Sequence, residues 1–91
     1  MTPIENRLLS NALDSLDRLF DRQSSAIDVR ALFEATAEVL RDTPHYRVFA
    51  DAISALDPII RTRHNPEMEY EESLKATGKL RHYLASLPIE Y

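Results

Sequence analysis

Four of the five prolines in this 91-residue chain follow a residue able to cap a helix: Thr2-Pro3, Thr43-Pro44, Asp57-Pro58 and Asn65-Pro66. In such a pair the polar side chain accepts from an orphan backbone N–H, and proline's fixed φ suits the first helical position. Glycine occurs once, at Gly78. Tight hairpins, phosphate loops and dinucleotide fingerprints draw on several glycines, so none of them is expected. The expected fold is all-α: a small antiparallel helical bundle of four main helices, one domain over residues 1–91, with a kink or short extra helix near Pro58.

The helical period sets the expected elements. A first helix runs from Pro3 to about Arg22, opened by a Thr2/Glu5 capping box, with Leu9, Leu13, Leu16 and Phe20 as its apolar seam. Leu8, Ala12 and Leu19 widen that stripe. A second helix starts near Asp28, where Ile27 and Leu32 have the spacing of a hydrophobic staple, and ends before Thr43-Pro44. A third spans Pro44 to about Leu56, burying Phe49, Ala52, Ile53 and Leu56. Pro58 then kinks or restarts it, because proline lacks the N–H and its ring meets the preceding turn. A fourth starts at Pro66 and carries Tyr70, Leu74, Thr77, Leu80, Leu84 and Leu87 on its core side. Gly78 lies inside it, which close approach of a neighbouring helix would explain. The tail Pro88–Tyr91 is expected to fold back through Ile89 and Tyr91.

Composition narrows the function classes. There is no cysteine, so disulfides and thiolate chemistry are out, and a cytoplasmic setting is expected. No secretory signal is expected at Met1–Leu9, and no apolar run approaches the ~18 residues of a membrane span. A net charge of −4 argues against a general nucleic-acid binder, which needs a basic stripe. It suits a basic protein partner.

Candidate chemistry is sparse. His45, His64 and His82 fall in no metal-ligand spacing and read as solvated helix-end residues, so neither metal nor cofactor is expected. Arg41/His45 and Arg61/His64 do not share a helix face, which argues against a nuclease pair. No Gly-x-Ser-x-Gly elbow is present. The chain is read as non-enzymatic.

Acidic residues carry the functional expectation. Asp14, Asp17 and Asp21 fall within about 60° of one another on a helix, beside the apolar seam. Their mutual repulsion is offset by expected Asp14–Arg18 and Asp17–Arg22 pairs. The plain reading is a solvated face; the functional one is an anionic surface for a basic partner. Glu67 and Glu69 open the last helix, where the dipole favours acid, and could extend that surface if the fold brings them near. Glu71–Lys75 is an expected pair along the same helix. Tyr46 is a candidate interface anchor. In size, acidity, helicity and lack of cysteine the chain is similar to bacterial immunity and inhibitor proteins, which implies electrostatic blockade of a basic toxin. No motif accompanies that class-level similarity. The alternative is a homodimeric structural or regulatory protein, its contact patch sought at Phe33, Ile59, Ile60 and Leu87.

Overall fold

The computed structural model describes residues 1–62 and 65–90, and everything regular among them is helical. Five helices follow in order: α1 (Pro3–Phe20), α2 (Ala26–Val39), α3 (Tyr46–Arg61), α4 (Pro66–Ala76) and α5 (Gly78–Ala85). The expected fourth helix is thus two, and the division falls at Thr77 rather than at Pro58.

The proline-pair rule holds twice. Thr2 accepts from the Glu5 N–H at 3.1 Å, and Asn65 from the Met68 N–H at 2.8 Å, each with proline at the first helical position. At Thr43-Pro44 the helix starts later. The Thr43 hydroxyl donates to the Leu40 carbonyl and accepts from the His45 N–H, closing a turn, and α3 begins at Tyr46 without a side-chain cap. At Asp57-Pro58 the rule fails, since α3 runs through Pro58 to Arg61 undivided. Asp57 cannot cap because its carboxylate binds Arg30 of α2 at 2.5 Å. Ser54, whose carbonyl loses its partner to proline, is on an exposed position, while Leu56 and Ile59 on either side of Pro58 are buried. Burial of those two side chains offsets the lost hydrogen bond.

Further boundaries move for local reasons. α2 begins at Ala26, not near Asp28, because Ser25 and Asp28 form a reciprocal capping box. Ile27 is consequently exposed and forms no staple with Leu32. The expected box at Thr2/Glu5 is only half formed, with the Glu5 carboxylate turned to another partner described below. α1 stops at Phe20 in a Schellman turn, in which the Gln23 N–H reaches the Arg18 carbonyl at 2.8 Å and the Arg22 N–H that of Leu19. Arg22 holds the left-handed position with φ of 63°, a place usually given to glycine.

At Thr77 the hydroxyl donates back to the Ser73 carbonyl at 2.9 Å and the backbone leaves helical values. Gly78, a poor helix former, follows directly. Among the described residues no neighbour approaches it: a Cβ there would meet nothing within 4 Å, so the expected close helix contact is not formed.

All five helices feed one core. Leu9, Leu16, Phe33, Leu40, Phe49, Leu56, Leu80 and Leu84 are almost fully buried. Phe33 and Phe49 meet edge to face, ring centroids 5.7 Å apart, inside the extensive α2–α3 contact. Leu19 rather than Phe20 completes the α1 seam; Phe20 is exposed. Leu87 and Ile89 pack against the core from the tail, while Tyr91, Arg63 and His64 lie outside the described residues. No helix among the described residues is long and apolar enough to cross a membrane.

Candidate functional site

The acidic candidates gather along one edge of α1. Asp14, Asp17 and Asp21 are all exposed. Asp17 reaches Arg81 of α5 at 3.1 Å, not Arg22 as its spacing suggests. Asp14 and Asp21 have no ion-pair partner among the described residues, so the expected Asp14–Arg18 pair does not form either. Asp17 and Asp21 also stand at the C-terminal end of α1, where the macrodipole is already negative. Helix stability therefore does not account for them.

The start of α4 joins this edge. Arg22 lies 3.8 Å over the Tyr70 ring and binds Glu67 at 3.0 Å, while the Tyr70 hydroxyl donates to the Phe20 carbonyl at 2.6 Å. These contacts seat Glu67, Glu69 and Tyr70 beside the end of α1. The Glu67 hydrogen bond raises the Arg22 guanidinium pKa, burial working against it, and holds the cation in place. Glu69 is half-buried and lines a 200 Å³ hollow with Arg22, Tyr70 and Ser73. Further along α4, Lys75 pairs with Glu72 at 3.6 Å instead of Glu71, which leaves Glu71 unpaired among the described residues.

Tyr46 does not belong to this edge. It lines a separate hollow between α2 and α3 with Glu34, Glu38 and Ile53. It is 36% exposed beside acidic groups, as an anchor would be, but the fold gives it different neighbours from Asp14 or Asp21.

A second polar cluster lies at the other end of α1, and sequence spacing does not reveal it. The His45 side chain is only 12% exposed, so the expected solvated histidine is a packed one. Its Nδ1 is 2.5 Å from the Tyr83 hydroxyl and its Nε2 3.5 Å from a Glu5 carboxylate oxygen. The rings of His45 and Tyr83 meet edge to face at 5.8 Å. Burial raises the Tyr83 hydroxyl above its ordinary value, so this phenol is held neutral, the reverse of an activated nucleophile. Glu5, His45 and Tyr83 are separated by about forty residues at each step, too far for any local pattern to register. Arg41 turns to Glu38 at 2.5 Å, away from His45, and His82 is exposed in the last turn of α5.

Among the described residues no group of three or more His, Asp or Glu could hold a metal ion. The apolar positions proposed for self-association are not jointly exposed, since Phe33 and Ile59 are buried and Ile60 and Leu87 are partly covered by the core. No family model, no curated protein and no solved structure matches this chain.

Proposed function

We propose that this chain is a non-enzymatic protein-binding module that captures a basic protein through the acidic edge of α1 and α4. The observation that carries the reading is the placing of Asp14 and Asp21, neither with an ion-pair partner among the described residues, beside the carboxylates at the start of α4, with Asp21 also at the negative end of the α1 dipole. Capture works by steric cover and by electrostatic steering, so association is fast at low salt and slows as salt screens the edge. A small inhibitor of the immunity type, blocking a basic toxin inside the cytoplasm, is the sharpest form of this reading.

The test uses two baits in parallel, the wild-type chain and an Asp14→Asn/Asp21→Asn variant, each incubated with host extract at low salt and eluted by a salt gradient. Asp17 is left intact because it also binds Arg81. The expected result is a basic protein held by the first bait, released by salt and lost from the second. Equal recovery on both baits removes the edge from the interface. Recovery of the bait alone at twice its mass replaces this reading with the homodimeric one.

A further inference from the structure

A trough of the opposite character runs along α3. Arg47, Val48, Asp51, Ala52 and Ala55 recur every three or four residues and form one wall; Lys75, Ala76, Lys79 and Leu80 of α4 and α5 form the other, enclosing 480 Å³. An adjoining hollow of 510 Å³ shares Ala55, Lys75 and Ala76 and continues past Pro58 and Ile59 to Met68 and Glu72. Together they follow the length of α3, about 24 Å at the helical rise.

The floor is apolar and shallow-chained. Ala52, Ile59 and Leu80 are buried beneath it, and Ala55 and Ala76 keep it low enough for another helix to lie close. The rim carries Arg47, Lys75 and Lys79 against the carboxylates of Asp51 and, further along, Glu72. Arg47 and Lys75 have only exposed partners along their own helices, at 3.3 and 3.6 Å, which exchange easily with a better one. Lys79 has no ion pair among the described residues. In a chain of net charge −4 this is a local reversal of sign. Among the described residues no aromatic ring lines the trough, so none of them supplies a stacking platform for nucleic-acid bases.

We infer that this trough seats an amphipathic helix of another protein, its apolar stripe on the alanine floor and its acidic flank against Arg47, Lys75 and Lys79. Recognition is of the helix-in-groove kind, with charge setting orientation and preference. The surface shares no residue with the acidic edge, so either can fail without the other.

The test measures fluorescence anisotropy of a labelled amphipathic peptide of about sixteen residues, with a Leu/Ala stripe flanked by Glu, on the full chain. A counterpart with Lys for each Glu serves as the contrast. The acidic peptide is expected to bind, with NMR shifts at Val48, Ala55, Ala76 and Lys79, and the basic one is not. Ala55→Glu, which blocks the floor from an exposed position, and Lys79→Glu should each weaken binding about tenfold with circular dichroism unchanged. Asp14→Asn/Asp21→Asn should leave it intact. Absence of binding, equal binding of both peptides, or shifts confined elsewhere overturns the proposal. So does a dimer mass that Ala55→Glu abolishes, which makes a second copy the occupant.

Discussion

The two ends of α1 are held to the rest of the molecule in contrasting ways. At its first turn Glu5 meets His45 from the turn before α3, and His45 meets Tyr83 of α5, with the imidazole nearly out of solvent. Beside them Asn6 exchanges two hydrogen bonds with the Glu90 backbone, at 2.6 and 2.8 Å, and holds the tail down. At its other end Arg22 stacks on Tyr70 and binds Glu67, with both charged side chains more than half exposed. The contrast concerns what happens when one partner is removed. A buried polar group that loses its partner bears a desolvation cost, whereas an exposed ion pair is replaced by water at little cost. The inner clasp is therefore a stability element. The outer one positions the acids at the start of α4 while contributing little to folding.

His45→Ala should break the inner clasp and cost about 2 kcal/mol, from stranded Glu5 and Tyr83 groups and a small cavity. Urea unfolding reads this directly, and an unchanged midpoint would mean that water already serves these groups. Tyr83→Phe removes one hydrogen bond and should cost about 1 kcal/mol. It also isolates a pH effect. The Tyr83 pKa is raised by burial above its ordinary 10.0, so the unfolded chain gives up that proton first. The contribution of neutral Tyr83 is complete below pH 10.0 and is lost as pH rises through the higher folded value. The wild type should therefore lose stability above that pH more steeply than Tyr83→Phe, and parallel profiles would contradict the raised pKa.

α5 serves both ends of α1, through Tyr83 and through the Arg81–Asp17 pair. Stiffening its joint with α4 sharpens the comparison. Gly78 has no positive φ and open space around it, so Gly78→Ala should stabilise by about 0.5–1 kcal/mol. A loss of stability there would mean that flexibility at Thr77-Gly78 is needed for packing. The smallest effect is expected at the outer clasp. Arg22→Ala should lower the melting temperature only slightly, less so in high salt, while Arg22→Gly should recover part of the loss by easing the left-handed backbone. A drop as large as that of His45→Ala would erase the distinction between the two clasps.

How far the sequence could be read depended on whether a residue answers to its near neighbours. Thr2-Pro3 and Asn65-Pro66 cap as expected, the hydroxyl and amide having no competing partner among the described residues. Asp57-Pro58 carries the same signal and fails, because Arg30 on another helix takes the carboxylate. Glu5 is diverted likewise from its capping box to His45. For the candidate site, the aspartate stripe was legible, being a local periodicity on α1. The arrival of Glu67 and Glu69 beside it was not, since it rests on Arg22 and Tyr70 contacts spanning some fifty residues. The basic trough was legible in neither wall alone. Each wall is an ordinary mixed helix face, and the charge reversal exists only where the two are set together.

By itself the sequence determined that this chain is helical, that proline and its capping partners open two of its helices, and that Leu9, Leu16, Phe49, Leu56, Leu80 and Leu84 build its core. Those outcomes follow from turn-scale backbone chemistry and the period of the helix, which act within a few residues. Tertiary structure alone decided that Pro58 stays inside a helix, that the last helix divides at Thr77, and that His45 is packed between Glu5 and Tyr83. It also decided which carboxylates keep their charge unanswered. Each of these depends on a partner supplied from a distant part of the chain, and pairing across helices overrides local preference whenever the local gain is the smaller.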